Sequence, residues 1–251
     1  MSGKQTVGAA EFWDNIFAQG SRAGYSTVSL PDDDDPVVPA LHAALEHFGD
    51  VRGKTILDLG CGRGATSLFL ASRGAHVVAV DISPSATENL RAFCAENGID
   101  NVTPVCMEAM EIGRLDRVDF AFGSMILHHI EPFAEFAELL RGRVRPGGRG
   151  FFWENNARSE LMIWFRQNVV GRFGVPKYGD DEEFPLTPGE VGILRRHFRV
   201  ELRYPELYFF RMIPPYLLRG RFEEPFARLD RAFYRFERLR QYTYRQYVLL
   251  S

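Results

Sequence analysis

Four groups of residues in this chain could do chemistry. The run Asp58-Leu59-Gly60-Cys61-Gly62-Arg63-Gly64 places an acid two positions before alternating glycines. Glycines let a backbone turn tightly and approach a ligand closely. A helix starting just beyond them would offer free N–H groups to a negatively charged moiety. Asp81 follows Asp58 by 23 positions, and a carboxylate there can accept both hydroxyls of a ribose. His128 and His129 supply imidazoles, the usual base near neutral pH. Glu154, Asn155 and Asn156 bring a carboxylate and two amides. They could bind a polar acceptor, orient a histidine, hold a divalent ion such as magnesium, or cap a strand end. The four aspartates at 32–35 could join them around a metal, but an acidic run between prolines reads first as a solvated loop.

These residues need elements to position them. TILDLG (55–60), HVVAVD (76–81), VTPVCM (102–107), VDFAFGSM (118–125) and RGFFWEN (149–155) read as buried strands. Between them lie helical patterns at 65–74, 83–98 and 132–144, with a PGG turn at 146–148 before the fifth strand. Strands and helices alternating in this way predict a doubly wound α/β fold around a mostly parallel sheet. Ligands of such sheets bind at the carboxyl ends of the strands. Every chemical group above falls in those loops or at those ends. Further on, 186–198 reads as a helix, 199–210 and 242–250 as strands, and 214–241 as a helical insertion rich in arginine and aromatics. The last strand should therefore run antiparallel, making seven in all. The stretch 156–186 shows no clear strand and reads as a lid.

Composition narrows the class. Of 251 residues, 45% are hydrophobic and 25% charged, which suits a folded domain rather than a disordered chain. A net charge of −3 gives no electrostatic reason to expect nucleic acid or a lipid surface as partner. The cysteines Cys61, Cys94 and Cys106 form neither a CxxC pair nor a disulfide framework, so a reducing cytoplasm fits best. The first residues lack the apolar core of a secretory signal, and no apolar run approaches the roughly 20 residues that span a bilayer. One domain over 1–251 is expected: a helical cap (1–50), a cofactor-binding core (51–155), and a lid with insertion and final strands (156–251). The aromatic insertion could also form a homodimer contact.

Gly60-x-Gly62-x-x-Ala65 satisfies the loose dinucleotide fingerprint, which leaves a nicotinamide oxidoreductase as an alternative. The Asp-x-Gly-x-Gly-x-Gly run, however, resembles motif I of the class I (Rossmann-like) S-adenosylmethionine-dependent methyltransferases. SMILHHIEPFAEFAELLRGRVRPGG resembles that family's later block, a strand end, a helix, then PGG before the fifth strand. The likeness covers about residues 50–155.

The resemblance implies roles. Asp58, Gly60, Cys61 and Gly62 would surround the methionine portion of S-adenosylmethionine, Asp81 would hold its ribose, and Ile82 would pack on its adenine. Glu108 and Ala109 stand where the family has Asp-Ala against the adenine, with Glu lengthening the arm. Ser124 and Met125 would line the sulfonium side. Trp13 and Tyr25 match aromatics that close over the cofactor, or else pack an N-terminal helix. Among relatives the first histidine of the pair faces the acceptor, so His128 is the expected base, ahead of His129, with Glu154 beside it. The ENN edge and the lid ending in DDEEFPLT are similar to enzymes that methylate glycans, such as methylmannose polysaccharides, or bacterial secondary metabolites. O-methylation of a small-molecule acceptor, such as a saccharide, is therefore expected ahead of N- or C-methylation.

Overall fold

A computed structural model of the chain describes residues 3–19, 28–32, 35–170, 184–218 and 221–251. Tyr25, Asp33 and Asp34 lie outside the described residues, as does 171–183 of the expected lid.

Seven strands form one sheet: β1 (Thr55–Leu59), β2 (His76–Asp81), β3 (Val102–Cys106), β4 (Val118–Ser124), β5 (Val144–Asn155), β6 (Val200–Arg203) and β7 (Arg245–Leu250). Their order is β3-β2-β1-β4-β5-β7-β6. The ladders from β3 to β5 are parallel, and only β7 runs against its neighbours β5 and β6. The doubly wound sheet with an antiparallel last strand is thus as the sequence predicts. The chain winds outward from β1 to β3 on one side and from β4 on the other. The crevice between the ends of β1 and β4 is therefore the switch point where a ligand belongs.

Helices cover both faces. On one side α2 (Val38–Phe48), α3 (Ala65–Ser72) and α4 (Pro84–Glu96) pack on Ile56, Val77, Ala79, Phe122, Phe151 and Trp153. On the other, α5 (Phe133–Arg143) and α7 (Pro188–His197) pack on Leu57, Leu59, Val80, Phe152 and Val248. The apolar runs of the inner strands are what burial on both faces requires. Each fully buried Phe or Leu contributes about 1.5–3 kcal/mol.

Three boundaries differ from the sequence reading. The PGG turn lies inside β5, which starts at Val144: Val118 pairs with Val144, and the register then shifts before Phe120 meets Arg149. A bulge absorbs the turn because the strand is paired on both sides of it. The strand expected at 199–210 stops at Arg203, and Pro205 follows, a residue with no N–H to extend the ladder. The insertion is broken into α8 (Ile213–Leu217), α9 (Glu223–Tyr234) and α10 (Glu237–Arg240). A short helix, α6 (Glu160–Asn168), opens the lid stretch, with Ser159 accepting from Met162 N at its start. At the N-terminus α1 (Gly3–Gln19) forms the first part of the cap. Among the described residues no helix is long and apolar enough to cross a membrane.

Candidate active site

The glycine run joins β1 to α3. Gly60 N and Cys61 N both donate to Val80 O, at 2.8 and 2.9 Å, which ties the loop to the end of β2. Gly60 has φ +72°, and a Cβ there would lie 2.9 Å from the Ile126 side chain. Gly64, at φ +80°, starts α3 in the left-handed region, and a Cβ on it would overlap Leu90. Only glycine meets both demands without strain.

Asp58 pairs with Ala79 and with Phe122 in the ladders, and Asp81 lies two residues beyond Ala79. Side chains alternate along a strand, so both acids stand on the same face of the sheet. Both are buried. Asp58 accepts hydrogen bonds from Thr66 Oγ1 (2.6 Å) and Ser67 Oγ (2.5 Å). Asp81 accepts from Gly62 N (2.8 Å) and Ser83 N (2.9 Å). Burial pushes the Asp58 carboxyl up to about 6, its hydroxyl partners oppose the shift, and the charge of Asp81 adds to it. Burial likewise raises Asp81 against its backbone donors. Two buried acids at one spot suit a ligand that brings positive charge, and S-adenosylmethionine carries an ammonium and a sulfonium. The residues present therefore fit that cofactor. Cys61 is buried beside them with its thiol pushed well up, which leaves it a packing residue rather than a nucleophile.

Other expected cofactor contacts stand on neighbouring strand ends and loops. Ile82 follows Asp81, and its carbonyl accepts from Cys106 Sγ at 3.7 Å. Glu108 precedes a short helical turn, Ala109–Arg114, that packs by Ala109 and Met110 on the α5 side. Ser124 ends β4, on the face of Asp58. Met125 follows at φ +54° and donates its N–H to Trp153 O at 2.8 Å. A methionine held in that region costs about 1–2 kcal/mol, and such strain collects at functional loops.

Helix α1 lies across the site. A Cβ at Gly62 would lie 3.1 Å from Phe17 Cζ. Asp14 Oδ1 accepts from Ser83 Oγ and Ser85 N, both at 2.8 Å, which fixes α1 to the start of α4 beside Asp81. Trp13 meets the His129 ring edge to face, at 6.0 Å between centroids, and His129 in turn lies 4.2 Å from the His128 ring. Trp13 is thus brought to the histidines.

His128 and Glu154 meet through a 2.6 Å contact between Nδ1 and Oε2, with side chains only 1% and 0% exposed. Glu154 Oε1 also accepts from Ile126 N (3.0 Å) and Leu127 N (2.8 Å). Glu154 thus ties the His128 ring by Nδ1 to the backbone of the loop after β4, and Nε2 is the ring nitrogen turned away from this acid. His129 is the exposed member of the pair. Asn156 turns away from this cluster, donating through Nδ2 to the carbonyls of Gln241 and Thr243.

Among the described residues no three His, Cys, Asp or Glu side chains gather as a metal site. Asp35 is instead paired with Arg63 at 3.0 Å and with Val37 N. A cavity of about 670 Å³ opens beyond Asn156, lined by Arg158 and by Leu161, Leu207, Phe209, Phe210 and Tyr242 among others. No sequence signal marks Thr66 and Ser67 as partners of Asp58, or Asp14 as a brace for α4. The first pair is separated from Asp58 by the whole glycine loop, and Asp14 by about seventy residues.

A family model described as a methyltransferase domain matches residues 56–148. Over 155 residues the chain is 30% identical to a ubiquinone biosynthesis O-methyltransferase of Paraburkholderia xenovorans, covering 61% of this chain and 66% of that protein. Over 137 residues it is 35% identical to an uncharacterized methyltransferase of Mycobacterium bovis, covering 53% of each. The chain thus spans less than two thirds of the length of either relative. In three dimensions it is similar to the geranyl diphosphate C-methyltransferase of Streptomyces coelicolor, crystallised with Mg2+, geranyl diphosphate and S-adenosyl-L-homocysteine. The TM-score is 0.61 at 14% identity, over 99% of this chain and 97% of that one, a likeness of fold.

Proposed function

We propose, from the premise that this chain belongs to the class I S-adenosylmethionine-dependent methyltransferases, that it moves a methyl group onto a hydroxyl oxygen of a small acceptor. The observation that carries this reading is the buried His128–Glu154 pair at the carboxyl ends of β4 and β5.

Bound S-adenosylmethionine would supply an electrophilic methyl carbon on a sulfonium. Asp58 and the backbone of Gly60, Cys61 and Gly62 would hold its amino-acid end. Asp81 would take the ribose, with Ile82 and the Glu108–Ala109 turn beside the adenine and Ser124 and Met125 toward the sulfonium. Trp13 and Phe17 on α1 close this cleft from above. His128 takes the acceptor's hydroxyl proton on Nε2, and Glu154, bound at Nδ1, orients the imidazole for that transfer. The same carboxylate clamps the Ile126–Leu127 backbone, so the base and the loop after β4 are set by one group. Holding the acceptor oxygen in line with the methyl carbon supplies much of the acceleration.

An O-methyltransferase among the relatives supports oxygen as the acceptor atom. The test is a methyl-transfer screen over phenols, sugars and amines, with magnesium and with chelator. The expected product is a methyl ether. Product confined to amines, or tight NAD(H) binding without S-adenosylhomocysteine binding, would sink the reading.

A further inference from the structure

The end of the β5–β7 ladder holds two buried polar atoms that the protein leaves unsatisfied. Asn155 stands opposite Arg245 in antiparallel register, so their side chains neighbour each other on one face. Trp153 and Tyr247, the next pair of the same parity, lie in the hydrophobic cluster that includes Ile56, Ala79 and Phe122. Asn155 and Arg245 therefore share the face of Asp58, Asp81 and Ser124. Asn155 is 8% exposed, and its Oδ1 meets no donor among the described residues. Arg245 Nε is buried and meets no acceptor among them. The guanidinium lies 4.7 Å from the Trp153 ring centroid and 5.8 Å from that of Tyr208. Aromatic faces attract and locate a cation, but they do not answer its in-plane Nε–H.

A buried donor or acceptor without a partner costs about 1–3 kcal/mol, and native proteins keep few of them. Two such atoms of opposite character, side by side at the ligand-binding edge of the sheet, are satisfied together by one molecule. That molecule must present an anionic oxygen to Arg245 and an O–H or N–H to Asn155. Ser124 pairs with Trp153, and Asn155 lies two residues further along the neighbouring strand. With about 3.3 Å per residue and about 4.8 Å between strands, Asn155 sits roughly 8 Å from Ser124 and Arg245, one strand further on, roughly 12 Å. A substituted ring met by the long Arg245 side chain spans that gap.

We propose that Arg245 and Asn155 form the anion subsite for the methyl acceptor, and that the acceptor is a ring-sized hydroxy acid. Its carboxylate pairs with Arg245, and a hydroxyl at the carboxylate end is received by Asn155 Oδ1. The hydroxyl to be methylated points back toward Ser124 and His128. The identification of this ligand as the acceptor rests on the methyl-transfer reading above, whereas the subsite itself rests on the two unsatisfied atoms.

The experiment is a calorimetric titration of the S-adenosylhomocysteine-loaded protein with dihydroxybenzoates and, in parallel, with their neutral methyl esters. Wild-type protein should bind at least one acid tenfold or more tightly than its ester. Arg245→Met should erase that difference, Arg245→Lys should keep part of it, and Asn155→Ala should weaken acid and ester alike. Affinity for S-adenosylhomocysteine should stay the same in all three variants, which also reports that they fold. Equal binding of acid and ester, no binding of any acid, or a preference that survives Arg245→Met would overturn the subsite. Failure of wild-type protein to bind S-adenosylhomocysteine would instead overturn the methyltransferase reading.

Discussion

Asp58 and Asp81 stand on one face of the sheet, near the carboxyl ends of adjacent parallel strands, both buried and each raising the cost of ionising the site. One acid alone would be a buried carboxyl with local partners. Two of them flanking a glycine loop make an acidic site that suits a ligand carrying positive charge.

The first consequence is pH dependence. Asp58 is raised from 3.8 to about 6. Its folded value lies above its unfolded one, so this group favours folding below about pH 4, and that contribution is lost as pH rises through about 6. The two-unit shift corresponds to about 3 kcal/mol. Asp58→Asn should therefore be as stable as wild type or more so at pH 7.5, with the gain gone at pH 4, by urea unfolding. A variant less stable at pH 7.5 than at pH 4, relative to wild type, would contradict the buried-charge account.

Ligand binding should show the same group. If Asp58 grips the amino-acid end of the cofactor, S-adenosylhomocysteine affinity should fall by up to tenfold per pH unit below about 6. The slope should disappear in Asp58→Asn. Titrations across pH in both proteins measure it, and a flat wild-type profile would remove Asp58 from the contact.

For the base, His128→Ala should cut turnover by about 10²-fold or more and leave cofactor affinity nearly unchanged. His129→Ala, at the exposed ring that meets Trp13 edge to face, should cost much less. If the two losses are reversed, the exposed ring is the base and His128 is a structural partner of Glu154.

The glycine loop makes a stability claim. Gly64→Ala meets both a left-handed φ of +80° and the Leu90 side chain. Strain of about 1–2 kcal/mol and overpacking of about 1–3 kcal/mol should add. Thermal unfolding should show a loss of several degrees. Gly98→Ala has nothing within 4 Å of the new Cβ and carries only the backbone strain of φ +65°, so it should lose less.

In the insertion, Asp230 is buried and accepts from Phe209 N, Phe210 N, Arg211 N and Arg211 Nε, at 2.9 to 3.3 Å. Asp230→Ala strands those donors and should destabilise the protein by about 3–5 kcal/mol, since a buried charge network loses its acceptor. Hydrogen exchange should localise the loss to residues around 207–234, and protection unchanged there would contradict it.

What the sequence determined by itself was the periodic part. Apolar strands at 55–60, 76–81 and 118–125, glycine bends and Ser-Pro or Thr-Pro helix starts are local signals, and the strands and helices they predict stand within a few residues of their places. The glycine loop, Asp58 and Asp81 were legible for the same reason, since a strand–loop–helix unit carries its own ligand geometry. Tertiary structure decided the pairings that no spacing encodes. His128 finds Glu154 because β4 and β5 run side by side, and Arg245 finds Asn155 because β7 returns antiparallel. PGG became a bulge because its strand was already paired. Contacts of this kind depend on strand order and register, which are set by the packing of the whole sheet and not by any one segment of it.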